Sequence, residues 1–273
     1  MLTSTSAVPQ PEKAARNIQA SPQGEDGNQG VEAGARQTVA NPLTRKLERF
    51  AVLGFSERLA LDDLESQAEW VPAGTLVSAE GETSETVIIL LGGFAYRHKD
   101  FLDGRRQIIT LLMLGDICGT SERLSGPVHY GVRTLTKARI ARIDIDRFRM
   151  TLDDHPAIAS ALHKSSLVDE AVLRAWIVNL GQRHARERVA HLLCELAQRM
   201  TDCGLLLASD SFKLPLTQQE LGSVLGLTSV HINRVLQQLR AESLIEFQHG
   251  VMRLRDLNKL QVLADFNPDY LLM

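Results

Sequence analysis

Residues 216–239 read LTQQELGSVLGLTSVHINRVLQQL, and they decide the fold of the region around them. Thr217-Gln218-Gln219-Glu220 is a Thr-x-x-Glu capping box. Its two side chains each satisfy a backbone N–H that a helix's first turn leaves unpaired, so a helix is predicted to start there. Leu221, Val224 and Leu225 are its apolar residues, and Gly226 ends it. Thr228 then caps a second helix from Ser229 to about Ala241, with Ile232, Val235, Leu236 and Leu239 as its buried face. A short helix, a turn with Gly and a second helix form the helix-turn-helix pattern. The exposed front of the second helix carries Ser229, His231, Asn233, Arg234 and Gln237. Arg can pair with guanine O6 and N7, and Asn or Gln with adenine, each good pair giving about 1–3 kcal/mol of discrimination. Downstream, Leu244–Phe247 and Val251–Leu254 flank Gln248-His249-Gly250 and read as a two-stranded wing. Thr217, Gln218, Thr228, His249 and Arg253 are the expected phosphate contacts, and Ser229, His231, Asn233 and Arg234 the expected base contacts. From Arg186 to Arg255 there are eight Lys/Arg and seven Asp/Glu, so the pattern alone fits ordinary helix packing as well as a DNA reader.

Upstream, Ala185–Met200 reads as a helix with Val189, Leu192, Leu193 and Leu196 on one face. Pro156–Leu180 is also helical in period, with Asp153 or Asp154 as its expected cap and Pro156 in its first turn. Val168, Ala171, Val172, Ala175 and Val178 recur at i, i+3, i+4, i+7 and i+10, and Leu173, Trp176, Ile177 and Leu180 form a second apolar face. One face suffices to pack on a neighbouring domain. Two imply another partner surface, for which a like helix from a second subunit is the simplest candidate; the alternative is a helix buried inside one subunit. The Val168–Val178 stripe is the expected dimer interface, and Gly181 is expected to interrupt the helix as a hinge.

Between Glu69 and Asp144 the punctuation changes. Gly74, Gly81, Gly93, Gly104 and Gly115 separate the β-rich stretches Thr75–Val77, Thr86–Leu91, Phe94–Arg97, Gln107–Leu112 and Arg139–Ile145. Short strands so punctuated predict a compact antiparallel β roll, with a type I′ hairpin turn at Asp103-Gly104. Asn41–Leu64 is helical in pattern. Residues 1–42 have no aromatic residue and are rich in small and polar residues, so they read as a disordered tail. The fold class is therefore α+β, with residues 43–153 as roll, 154–182 as long helix and hinge, 183–262 as winged helix-turn-helix, and 263–273 as a C-terminal extension.

Composition narrows the function. The chain has 273 residues and a net charge of -3, which excludes a generally basic nucleic-acid coat but not a local DNA-reading surface. The most apolar stretch, Val87–Tyr96, contains Gly92 and Gly93 and is half the roughly 20 residues a membrane span needs. No basic patch followed by an apolar run opens the chain, so no secretory signal is read. Cys118, Cys194 and Cys203 show no CxxC pairing, which fits a reducing cytoplasm. Cys118 is a candidate redox thiol, weighed against a buried cysteine acting as a small apolar residue. His184, His191 and Cys194 make a poor zinc site for want of a fourth ligand. No acid–base pair, nucleophile arrangement or cofactor loop marks an enzyme, and no cofactor or metal is expected.

In combination these features resemble the Crp/Fnr family of bacterial transcription regulators. The resemblance covers about residues 45–262. It rests on Asp103-Gly104-Arg105-Arg106-Gln107-Ile108, Leu114-Gly115-Asp116-Ile117-Cys118-Gly119 and Ala185-Arg186-Glu187-Arg188-Val189-Ala190. The helix-turn-helix adds Leu216-Thr217-Gln218-Gln219-Glu220-Leu221, Leu225-Gly226-Leu227-Thr228 and Asn233-Arg234-Val235-Leu236. It implies a cyclic-nucleotide-binding-like β roll, a long dimerisation helix, a C-terminal winged helix, and a homodimer on a near-palindromic double-stranded DNA site, with RNA polymerase as a further partner. Arg234 falls on the family's base-contacting arginine. Val230 stands where well-studied members carry a Glu, so an acceptor for cytosine N4 is missing. Cyclic-AMP-binding members place a Glu after the Gly of the phosphate cassette and an Arg-Ser pair further on; here Thr120 follows Gly119, and the later stretch is Val128-His129-Tyr130-Gly131. A buried cyclic phosphate would lack its charge partner, so cyclic AMP is not expected to bind in the family's manner. Three scattered cysteines cannot supply the roughly four ligands of a [4Fe–4S] cluster. The alternative reading is a regulatory module whose winged helix makes protein contacts only.

Overall fold

The computed structural model describes residues 41–83, 85–119, 128–208 and 210–272. Residues 1–40 of the expected tail and Thr120 of the cassette lie outside them; the tail's last two residues do not belong to it, since Asn41 caps and Pro42 opens the helix Pro42–Leu47.

Two four-stranded antiparallel sheets form the roll. One has the order β1 (Glu69–Val71), β8 (Ala138–Asp144), β3 (Thr86–Gly92), β6 (Ile117–Cys118); the other β2 (Leu76–Ser78), β7 (Gly131–Thr134), β4 (Ala95–Asp100), β5 (Arg106–Leu112). The unbroken apolar run of β3 is explained by its two covered faces. Ile88 and Leu90 point into the roll with Val77, Leu112, Val132 and Ile140. Val87, Ile89 and Leu91 instead lie under Leu43 and Leu47 of α1 (Pro42–Leu47), Leu61 and Leu64 of α2 (Phe55–Leu64), and Ile158. Strand alternation thus serves two cores at once.

The β4–β5 hairpin departs from the expected turn. Phe101 N–H donates to Arg105 O at 2.9 Å and Gly104 N–H to Phe101 O at 2.9 Å, and of Asp103-Gly104 only Gly104 has positive φ, at 84°. This is a type I turn closed by a left-handed glycine, not a type I′ turn. The type I′ geometry occurs in the wing, where His249 and Gly250 have φ of 50° and 76°.

The helical region after the roll is two helices. Asp144 ends β8 and caps α3 (Ile145–Asp154) by accepting from Asp146 and Arg147 N–H at 2.9 and 3.1 Å. His155, at φ -129° and ψ 77°, separates α3 from α4 (Pro156–Gln182). Asp154 therefore closes one helix, and neither Asp153 nor Asp154 caps the next. Gly181 lies inside α4 with open space where a side chain would sit; the chain leaves the helix at Arg183, φ -78° and ψ 146°. The expected break is displaced by two residues.

The C-terminal domain contains α5 (Ala185–Asp202), β9 (Ser211–Lys213), α6 (Gln218–Leu225), α7 (Ser229–Ala241), β10 (Ile245–Gln248), β11 (Val251–Leu254) and α8 (Leu257–Ala264). β9 adds a third strand to the wing, in the order β10-β11-β9. The last residues are integral to the domain: Phe266 and Leu271 are buried, and Tyr270 Oη donates to Glu195 at 2.8 Å.

A polar hub ties this domain to the roll. Asp116, after β5, accepts from Lys46 Nζ at 2.7 Å, Arg199 Nη2 at 3.2 Å and its own loop's Met113 N–H at 2.8 Å. Arg199 also donates to Leu111 O at 2.8 Å. Burial pushes the Asp116 carboxyl up, but Lys46 and then Arg199 outweigh it and hold the group below the ordinary carboxylate range. Nearby, the 1 % exposed Glu195 accepts from Trp176 Nε1 of α4 at 3.0 Å. Gln107 Nε2 of β5 donates to Val224 O of α6 at 3.1 Å.

Candidate nucleic-acid interface

The helix-turn-helix is built by the expected local chemistry. Thr217 Oγ1 accepts from Glu220 N–H at 3.2 Å, and Glu220 Oε2 accepts from Thr217 N–H at 2.7 Å and from the Thr217 hydroxyl at 2.8 Å. Gly226 caps α6 in the left-handed region, at φ 64°. Thr228 Oγ1 accepts from His231 N–H at 3.2 Å and starts α7. The turn has a second requirement that the pattern did not reveal. A Cβ on Gly222 would meet Leu227 O at 2.4 Å, so the close approach of the turn to α6 needs glycine there.

The two faces of α7 are cleanly divided. Ile232, Val235, Leu236 and Leu239 are each at most 2 % exposed, while Ser229, Val230, His231, Arg234 and Gln237 face outward. Arg234 makes no hydrogen bond or ion pair among the described residues, so its five donors are available. Asn233 is placed differently from its neighbours. It is half-buried and donates from Nδ2 to Gln218 Oε1 at 3.2 Å, joining the two helices. Two residues expected at DNA therefore spend one hydrogen bond on each other.

In the wing, exposed His249 sits at the tip of the hairpin. Arg253 Nε pairs with Asp210 Oδ2 at 2.7 Å, so its charge is partly engaged before any phosphate arrives. Thr217 and Thr228 are exposed at helix N-termini, where backbone N–H groups and the helix dipole favour anions.

On α4, the roll and α5 cover part of the expected dimer stripe. Ala171 and Val172 are each 6 % exposed, Val168 and Ala175 are half-buried, and Val178 is exposed. The apolar residues left open are Leu167, Leu173, Ile177 and Val178, with Ile177 at 73 %. The open patch thus draws Leu173 and Ile177 from the second face and Val178 from the first, while Trp176 and Leu180 of the second face are half-buried. Cys118 is buried in β6 opposite Ile88, deep in the roll. His191 is buried against Trp176, Phe266 and Tyr270, and no cluster of metal-ligating side chains occurs among the described residues. No helix among the described residues is long and apolar enough to cross a membrane.

Known proteins share this arrangement. A model of the Crp-like helix-turn-helix domain matches residues 187–263, and one of the cyclic nucleotide-binding domain matches residues 68–155. The transcriptional activator protein FnrL of Cereibacter sphaeroides is 29% identical over 180 residues, covering 64% of this chain and 71% of that protein. The nitrogen fixation regulation protein FixK of Bradyrhizobium diazoefficiens is 28% identical over 195 residues, covering 70% of this chain and 79% of that protein. The solved structure of FixK2 from Bradyrhizobium japonicum superposes with a TM-score of 0.65 at 24% identity, covering 74% of this chain and 98% of that one, and shares the fold. With the two domains in the same order, and with regulators of this type as its relatives, the chain belongs to the Crp/Fnr family of transcription regulators.

Proposed function

We propose that the chain binds a near-palindromic promoter site as a homodimer and regulates transcription from it, with RNA polymerase as its partner there. The observation that carries this is the exposed front of α7, where Arg234 stands unengaged above a fully packed back face. Thr217, Thr228 and the wing's His249 flank that front as phosphate contacts, Gln218 and Arg253 joining them once their internal partners give way. Two copies pair through Leu173, Ile177 and Val178 of α4, with Ala175 at the edge. Their recognition helices then enter successive major grooves about 34 Å apart.

Input enters through the roll and reaches α7 through the Asp116 hub. We infer an input other than cyclic AMP, because Val128-His129-Tyr130-Gly131 stands where cyclic-AMP-binding members carry their Arg-Ser pair. Among the described residues, Val77, Leu90, Leu112, Cys118 and Val132 line a cavity of about 10 Å³ inside the roll, and Arg97 Nη2 donates to Ile117 O at 2.8 Å. A larger cavity, about 330 Å³, lies where the roll, α1, α4 and α5 meet, with Lys46, Asp116 and Arg199 in its wall. Whatever shifts that junction shifts the population of DNA-competent dimers. The test is footprinting with Arg234→Ala, which should abolish promoter protection while the dimer survives. An unchanged footprint would refute the assignment, and a protein-contact module would show no footprint with either chain.

A further inference from the structure

Val230 is the large apolar residue of α7 that does not face the domain. It is 70% exposed, whereas Ile232, Val235, Leu236 and Leu239 are each at most 2 % exposed. A lone exposed valine on most surfaces needs no explanation. This one sits in the first turn of the helix, between exposed Ser229 and His231 and four residues before Arg234. Residues four apart share one helix face, so Val230 and Arg234 point the same way. The helix rises 1.5 Å per residue, which places them about 6 Å apart along its axis, a span of roughly two base-pair steps.

What can a valine recognise there? It has no donor or acceptor, so it satisfies neither the amino group of cytosine or adenine nor the O6 and N7 of guanine. The apolar feature on a base edge in the major groove is the 5-methyl group of a pyrimidine, carried by thymine and by 5-methylcytosine. Its ring of polar neighbours, Ser229, His231, Arg234 and Gln237, also makes a poor protein-docking patch, because no second large apolar side chain of α7 adjoins it.

We propose that Val230 packs on a pyrimidine 5-methyl group within about two base pairs of the pair read by Arg234, and so fixes a thymine in each half-site. This rests on the DNA-reading function proposed above. The β-branched side chain, held by the Thr228 cap and the helix backbone, has little χ1 freedom to lose on contact. The methyl contact adds selectivity at a position where hydrogen bonding would otherwise be indifferent.

The experiment begins with selection of bound duplexes from a random pool by the full chain. Each thymine of the selected half-site is then replaced singly by uracil, which removes only the methyl group. One position should weaken wild-type binding about fourfold, the factor for one buried methyl-sized group. The same replacement should leave Val230→Ala unaffected, because the contact is already gone. Cytosine at that position should weaken wild-type binding, and 5-methylcytosine should recover part of the loss, which separates the methyl group from the rest of thymine. Val230→Glu should switch the preferred base there to cytosine, by on the order of tenfold, since a carboxylate accepts from cytosine N4. If a site is selected but uracil is tolerated at every thymine, or Val230→Ala remains as sensitive as wild type, the methyl contact is refuted while DNA reading stands. If no sequence is selected, both fail.

Discussion

Replacing Asp116 by Ala should expose how much the roll and the DNA-binding domain depend on one carboxylate. Asp116 is bound by Lys46 at 2.7 Å and Arg199 at 3.2 Å, with side-chain exposures of 13% for the acid and 16% for each base. Removing it leaves two nearly buried cations facing each other, and also orphans Met113 N–H. Breaking a buried pair by deleting one partner costs about 3–5 kcal/mol; the residual exposure here argues for the lower end, about 3 kcal/mol. For a chain of this size that is a fall in unfolding midpoint of roughly 6–12 °C. The pair holds the Asp116 pKa below its ordinary value, so its stabilisation is present above about pH 4, the unfolded value, and is lost only as pH falls through the lower folded value. The deficit of the variant should therefore be equal at pH 6 and pH 8 in urea denaturation. Glu170→Gln breaks the exposed i,i+4 pair with Arg174 on α4 and is the matched control, with a loss no greater than about 0.5 kcal/mol. If Asp116→Ala and the control lose the same amount, the hub is not the structural joint between roll and reader.

Three other outcomes follow from particular side chains. Burial, against the pull of Arg139, pushes the Glu65 carboxyl up to about 7, so the folded chain holds a proton there that the unfolded chain has released; stability should fall by about 2–3 kcal/mol as pH rises from 4 to 8, and Glu65→Gln should abolish that slope in denaturation curves. Ile177→Asp should turn the dimer into a folded monomer by light scattering, whereas Val172→Asp should lower the unfolding midpoint instead; a monomer from Val172→Asp with unchanged stability would reverse the two faces of α4. Gly222→Ala should destabilise the C-terminal domain by at least 1 kcal/mol because of the 2.4 Å approach to Leu227 O, and an unchanged thermal melt would contradict that geometry.

The parts of the fold that the sequence made legible are those decided within a few residues. Thr217 with Glu220, Thr228 with His231 N–H, and the i, i+3, i+4 burial of α7 are local, and each stands where the pattern placed it. What the pattern hid depends on distant partners. Both stripes of α4 are apolar, so only the position of the roll and α5 decides that Val172 is covered and Ile177 open. The Asp116 hub joins residues 70 and 83 positions apart, beyond any periodicity. Asn233 reads as a free amide until Gln218 is brought beside it. α3 escapes the periodicity because Asp144 serves at once as the last residue of a strand and the cap of a helix. The hairpin at Asp103-Gly104 shows the limit of dipeptide rules: a three-residue loop gives Gly the left-handed position and leaves Asp an ordinary one.

The most direct measurement compares the affinity of the full chain for a selected near-palindromic duplex with its affinity for a shuffled duplex, over a range of salt. The expected result is a preference of roughly a thousandfold or more for the selected site, with both affinities falling steeply as salt rises. Equal affinity for the two duplexes at every salt concentration would contradict the reading of base edges by α7.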